Sequence, residues 1–466
     1  MTQIATLIFV VGIAGLFWLD YNPEARTSSA LWLPVMWLWI AGSRPLSEWV
    51  TGGHVNSTDQ YLDGSPFDRN IYIVLLAIAV VVLLSRSGAV FKVFRENGIL
   101  VLFLLYCAFS ILWSDYPDVA VKRWIKSLGD YAMILIVLTD QDRINAIKRV
   151  LARVSFILIP VSVLLIKYYP ALGRKYATQW DATVYFTGVS TDKNMLGVCC
   201  LIFGLASAWR VLQELQGGRE ERKKGALIAH LAVVIMTAWL FAKCNSMTSL
   251  SCFLLGTGLM AITGFPKMSK KRALIHTIVL SGLIFCFCVL FLDLGSFILE
   301  MLGRNPTLTG RTELWETIRT MNTSPLLGAG FESFWLGKRL EKLWSIYWWH
   351  PNEAHDGYLE MYLNLGWIGV SLLGAILITG YRNAIRKLRE DSVTGSLYLS
   401  YFFIGVAYNF TEAATRTMSP VWFFLIMASI ALPKAPVSVK VSEPLPQLTG
   451  THKKAMLDRT PENVPA

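Results

Sequence analysis

Apolar runs separated by short polar loops dominate the chain. They cover Ile4–Leu19, Leu31–Ala41, Ile71–Leu84, Ile99–Trp113, Leu128–Leu138, Val154–Tyr168, Met195–Leu212, Ala226–Ala242, Leu250–Gly264, Ala273–Leu292, Tyr358–Thr379, Leu397–Phe410 and Val421–Leu432. A helix needs about 20 apolar residues to cross the hydrocarbon core, and shorter runs borrow flanking residues or re-enter. The pattern predicts an all-α, polytopic integral membrane protein. It divides into an N-terminal transmembrane bundle over 1–292, a large polar loop with an interfacial helix over 293–357, C-terminal transmembrane helices over 358–432 and a disordered cytoplasmic tail over 433–466. In that tail Pro, Val, Lys and Thr follow no period. The first run has no basic residue before it and no convincing cleavage site, so it reads as a retained span. No internal repeat of the kind many transporters show is evident.

Composition agrees with this reading. Hydrophobic residues make up 54% and charged residues only 16%, against about a quarter charged in soluble domains. The net charge of +11 does not point to nucleic acid, because the basic residues gather on alternate loops: Arg86, Lys92 and Arg95; Arg143, Lys148, Arg149 and Arg153; Arg219, Arg222, Lys223 and Lys224; Lys267, Lys270, Lys271 and Arg272; Arg382, Arg386, Lys387 and Arg389. The positive-inside rule puts these in the cytoplasm and the 293–357 loop outside. The cysteines lie in or beside apolar runs and read as packing residues, with no disulfide framework.

The expected outer loops nevertheless carry cations: Lys122, Arg123 and Lys126 in one, Arg174, Lys175 and then Asp192-Lys193-Asn194 in the next, and Arg416 with Glu412 in the last. Cations disfavoured on that side point to an anion at the membrane surface. In the large loop Arg311, Leu314, Ile318 and Met321 share one helical face. The expectation is a helix lying apolar face down on the membrane, with Arg311 and free backbone N–H groups at its start able to hold a phosphate. Tyr347-Trp348-Trp349-His350 reads as an interfacial aromatic belt or a sugar-stacking surface. Pro351-Asn352 can cap the following span, placing His355 in its first turn as a neutral imidazole able to take a proton from a hydroxyl. Glu360, one turn deeper, is expected to orient His355 or pair with an arginine. No metal-ligand cluster stands out, and no cofactor is expected.

Three stretches carry a family resemblance: Thr309-Gly310-Arg311-Thr312-Glu313-Leu314-Trp315, Pro325-Leu326-Leu327-Gly328-Ala329-Gly330-Phe331, and His355-Asp356-Gly357-Tyr358-Leu359-Glu360 followed by Gly366 and Gly369. With Leu112-Trp113-Ser114, Pro117, Arg123, Asp192-Lys193-Asn194, Gly197, Asn409 and Glu412, the sequence resembles the O-antigen ligases and related Wzy-type polysaccharide polymerases, including exopolysaccharide production polymerases, over roughly 112–424. Asp356 stands where that family usually has Asn. The resemblance implies about twelve transmembrane helices in the bacterial inner membrane and a metal-independent transfer at the periplasmic face. The donor would be a glycan on undecaprenyl pyrophosphate, and the acceptor a hydroxyl of another glycan or of lipid A core. It also implies His355 as general base or acceptor-positioning group and Arg311 on the pyrophosphate, with Lys193 or Arg123 as a second anion contact. Asn194, Glu360, Glu412 and Arg416 complete the expected substrate-binding set. Two readings compete with this one: a transporter or flippase of an anionic lipid-linked substrate, and a scaffold of an envelope assembly line.

Overall fold

The computed structural model describes residues 1–51, 64–176, 184–216, 223–291, 311–321 and 323–433. Thr309, Gly310, Arg219, Arg222 and residues 434–466 of the expected tail lie outside the described residues.

The chain folds into helices α1 (Thr2–Leu19), α2 (Trp32–Gly42), α3 (Pro66–Ser85), α4 (Ser87–Glu96), α5 (Gly98–Phe109), α6 (Pro117–Leu138), α7 (Arg143–Tyr168), α8 (Lys193–Gln216), α9 (Lys224–Cys244), α10 (Met247–Thr263), α11 (Arg272–Phe291), α12 (Arg311–Arg319), α13 (Gly337–Ile346), α14 (Gly357–Glu390), α15 (Ser392–Tyr408) and α16 (Pro420–Ser429). Short helical turns lie between some of them. Among the described residues the only sheet is a two-stranded antiparallel ribbon, in which Arg174 of Arg174–Tyr176 faces Phe186 of Val184–Phe186. Among the described residues six helices (α1, α3, α7, α8, α9 and α14) are long and apolar enough to cross a membrane. The segments Ser87–Glu96 and Gly98–Trp113 add a seventh if that pair, bent by 93°, is one span. The outward faces of α1, α3 and α9 bear Leu7, Ile8, Val81, Leu84 and Ile235, all exposed, as a lipid-facing surface requires.

One apolar core runs through the helices, with Trp37, Phe203, Trp209, Tyr401, Phe423 and Phe424 at its centre. Trp37 of α2 lies on Gly129 of α6, where any Cβ would strike its ring. Its indole N–H donates to the Asp130 carboxylate at 2.7 Å, and that carboxylate also accepts Met418 N–H at 3.0 Å. A buried carboxylate needs such partners, and this one ties the 411–419 loop to the bundle.

Two sequence expectations change here. Lys122, Arg123 and Lys126 do not sit in a loop. Pro117 opens α6, where its missing N–H costs nothing, and the helix carries all three cations. α12 does form from Arg311, but its apolar face is not laid on the membrane. Leu314, Ile318 and Met321 are buried against Phe334, Leu340 and Leu343 in a second apolar cluster made by the loop itself. Periodicity reveals an apolar face but not what covers it.

α14 is broken at Gly366, which takes φ 62 and ψ −165 inside the helix. The break frees backbone groups, and the 325–330 segment uses them. Leu363 and Asn364 carbonyls accept the N–H groups of Ala329 and Gly330, each at 2.9 Å, while Trp367 N–H donates to Pro325 carbonyl at 3.0 Å. Gly328, at φ +71, and Gly366 let the two backbones meet; a Cβ on either would enter the other chain segment. Gly366→Ala should therefore cost about 1–3 kcal/mol in backbone conformation alone, before the clash. The expected outcome is a lower melting temperature and less monodisperse protein by fluorescence-detected size exclusion. Gly374→Ala, at a helical position with no heavy atom within 4 Å of the added Cβ, should leave both unchanged or slightly improved.

Candidate functional site

The start of α14 is fixed from several directions. Asp356 caps it, its carboxylate accepting the N–H groups of Tyr358 at 2.8 Å and Leu359 at 2.9 Å. Gly357 N–H donates to Asn409 carbonyl at 2.8 Å, at the end of α15, and the Asn409 side-chain oxygen accepts Ala414 N–H at 3.0 Å. Gly357 has no room for a Cβ beside the Asn409 amide. These bonds bring the 411–416 loop against the residues preceding α14.

His355 lies between those two segments. It is not in the first helical turn but two residues ahead of α14, in the left-handed region at φ 51. Ala354 beside it is clamped on both sides: its carbonyl accepts Trp315 N–H at 2.8 Å and its N–H donates to Glu360 at 3.0 Å. Glu332, His350 and Met418, which line the neighbouring cavities, also hold positive φ. Such costly backbone at non-glycine residues clusters at functional sites.

Five side chains form a ladder of alternating charge. Arg416 Nη1 lies 2.6 Å from Glu353 Oε2, and Glu353 Oε1 lies 3.1 Å from His355 Nδ1. On the other side His355 Nδ1 is 3.2 Å from Glu412 Oε2, and Glu412 Oε1 is 3.1 Å from Arg311 Nη2. Arg311 also donates to Thr411 carbonyl at 2.6 Å. Both carboxylates engage Nδ1, and among the described residues Nε2 has no hydrogen-bond partner. Burial by itself would lower the His355 pKa, but the hydrogen bonds and charges of Glu353 and Glu412 outweigh it and hold the imidazole at about 9. Burial would raise Glu353; its bonds to His355 and Arg416 prevail and take it down to about 2. The expectation of a neutral imidazole is thus corrected: two carboxylates outweigh a helix dipole.

The structure gathers His355, Arg311, Glu412 and Arg416 into this ladder. Lys193 and Asn194, at the start of α8, line a cavity of about 390 Å³ together with Glu353, His355 and Trp349. Lys193 lies 5.0 Å over the Tyr185 ring, and Trp349 is tilted 6.0 Å from the His355 ring. Arg123 lies on the wall of a second cavity of about 500 Å³, which it shares with Lys126, Arg416 and Glu412, and it donates to Glu332 carbonyl at 2.6 Å. Glu353 and Asn194 line both spaces. Glu360 departs from expectation. It is buried behind the site, accepts from Trp335 at 2.7 Å, Asn364 at 3.0 Å and Ala354, and bonds neither His355 nor an arginine side chain. Its role there is to hold the backbone. The aromatic cluster also divides: Tyr347 is buried, Trp348 exposed, and His350 stacked on Trp344 at 4.6 Å.

Sequence reasoning missed Glu353, the residue joining His355 to Arg416. The only signal was an acid two residues before the histidine.

Residues 222–374 match the O-antigen ligase family. The match contains Arg311, Glu353 and His355, whereas Glu412 and Arg416 lie beyond it. The exopolysaccharide production protein ExoQ of Rhizobium meliloti (strain 1021) is 24% identical over 298 residues, covering 62% of this chain and 65% of that protein's length. The similar stretch therefore spans just under two thirds of that relative. Together these findings support the O-antigen ligase and polymerase family, and with the apolar helices they support a multi-pass membrane protein.

The ladder gives stability a defined pH window. His355, raised above its ordinary value of about 6.5, contributes fully below that value and loses its contribution as pH rises through about 9. Glu353, depressed, contributes above about 4.3 and loses its contribution as pH falls through about 2. Thermal unfolding between pH 6 and 9.5 should show a decline in the native protein that His355→Gln lacks. Parallel declines in the two proteins would mean that the ladder does not govern it.

Proposed function

We propose that this chain is a glycosyltransferase that moves a glycan from undecaprenyl pyrophosphate to an acceptor hydroxyl, at the periplasmic face of the bacterial inner membrane. The observation that carries the reading is the ladder at the junction of two cavities: one histidine whose Nε2 has no hydrogen-bond partner among the described residues, flanked by two arginines held in place by carboxylates. In the proposed reaction the acceptor O–H gives its proton to His355 Nε2 and its oxygen forms a bond to the anomeric carbon. The bond from that carbon to the pyrophosphate oxygen breaks, and the departing electron pair leaves charge on the pyrophosphate. Arg311 receives that charge, where a preorganised cation acts most strongly. Arg416, Lys193, Asn194 and Arg123 line the spaces into which the diphosphate and sugars would extend. The similarity to an exopolysaccharide production protein favours a glycan acceptor over lipid A core.

Purified protein is incubated with a defined undecaprenyl-pyrophosphate oligosaccharide, with and without lipid A core. Longer lipid-linked glycans without core mark a polymerase; transfer only to core marks a ligase. Arg311→Ala and His355→Ala should each lower turnover by about 100-fold or more. Normal product from both, or counterflow with no covalent product, would sink the proposal and favour transport. The pH profile separates roles. With a pKa of about 9, only about 1% of His355 is neutral at pH 7. A base would make the rate climb about tenfold per pH unit below 9, and Glu353→Gln should shift the climb to lower pH. A rate that falls on passing pH 9 would assign the working form to the imidazolium.

Glu353, His355 and Glu412 are also the only three such groups among the described residues with ligand atoms within 4.8 Å of one another. A divalent cation there would have to displace the shared imidazole proton and sit beside two guanidinium groups. The charge balance suits an anion better, and chelation by EDTA is expected to leave turnover unchanged. Loss of turnover restored by magnesium or manganese would reverse that assignment.

A further inference from the structure

At the other end of α8, on the order of 25 Å along its axis from Lys193, lies a cavity of about 270 Å³ that the proposed reaction does not use. It is bounded by the C-terminal ends of α1 and α8 and by the N-terminal ends of α7 and α9. Among the described residues Lys148, Arg149, Arg210 and Lys223 face it against Asp20 and Glu214, four cations to two carboxylates. Arg210 is only 8% exposed, bonds Gln213 at 2.6 Å and pairs with Asp20 at 3.3 Å and Glu214 at 3.5 Å, yet its Nε has no hydrogen-bond partner. A wall that sets four cations against two carboxylates has positive charge to spare for an anion. Trp18 and Tyr21, both strongly exposed, flank the cavity at the end of α1. Aromatic residues so placed mark the headgroup level of a bilayer.

α1 itself is loosely held, with only 6% of its apolar window buried. Its C-terminal end is tied through the same groups: Lys223 Nζ donates to Asn22 at 3.0 Å and Arg149 to Asn22 carbonyl at 2.9 Å. We propose that this cavity seats the phosphate of an anionic phospholipid, in the leaflet opposite the His355 site, and that the bound lipid fastens α1 to the bundle. Basic pockets between spanning helices take such headgroups, and the exposed apolar face of α1 offers the acyl chains a surface.

The test uses full-length protein in nanodiscs of phosphatidylcholine with or without phosphatidylglycerol, read by native mass spectrometry and by melting temperature. Arg210 holds the fold, so the variant is Lys148→Gln with Lys223→Gln, and the control is Lys270→Gln with Lys271→Gln. Expected are retained phosphatidylglycerol and a higher melting temperature for the native and control proteins, with retention weakened about tenfold or more in the cavity variant. Equal retention in all three overturns the site. Stabilisation by inorganic phosphate in phosphatidylcholine alone, matching that of phosphatidylglycerol, overturns the lipid and assigns the cavity to a soluble phosphate compound.

Discussion

Carbonyl groups released where α14 breaks at Gly366 are the anchor on which the site is built. An unbroken helix would spend the Leu363 and Asn364 carbonyls internally and offer nothing to the loop. Because they are free, the 325–330 segment docks on them as a short stretch of backbone pairing. The docked segment then presents Phe331 N–H to Ser110 Oγ at 3.0 Å and Glu332 carbonyl to Arg123. Asn364, beside the break, accepts Phe334 N–H at 3.1 Å and donates to Glu360. Glu360 in turn holds Ala354 next to His355. A backbone irregularity inside an apolar helix is costly unless other groups satisfy it, and here the satisfying groups form the floor of the site.

The second constraint acts from the opposite side. Asp130, buried in α6, holds both Trp37 of the bundle and the backbone of Met418. Asn409 holds the start of α14 and the turn at Ala414. Glu412 and Arg416 lie between these two fixed points, so their side chains reach His355 and Glu353 with little freedom left. Placing the ladder therefore requires three distant parts of the chain, 311, 353–355 and 411–416, to be registered independently against the helices.

Much of this was legible in residue order. The apolar runs mark the long helices because a membrane span must be long and apolar wherever it occurs. Pro325–Phe331 and Gly366 stood out as matching stretches. Their partnership was invisible, since a glycine reports that backbone must bend or approach without saying what approaches. His355, Glu412 and Arg416 were each suspect as ionisable groups at the ends of apolar runs, and Arg311 as a cation at the start of an amphipathic helix in the large loop, but Glu353 was not, because an acid in a polar loop is ordinary until its neighbours are known. The protonation state of His355 was misread for a related reason. A helix start is local and visible in sequence, whereas Glu412, 57 residues away, is one of the two carboxylates that oppose it.

The ladder sets three cationic groups against two carboxylates, and that shapes how an anion could enter it. A diphosphate taking Arg311 or Arg416 exchanges one set of charge-assisted hydrogen bonds for another, so the arginines give up little by turning to it. The exchange strands a carboxylate, and the nearest cation left for Glu353 or Glu412 is His355. Donor binding would then tighten the hold of the imidazole on its proton, just as the reaction needs that proton gone. A base at His355 and a diphosphate on the arginines would thus oppose each other electrostatically.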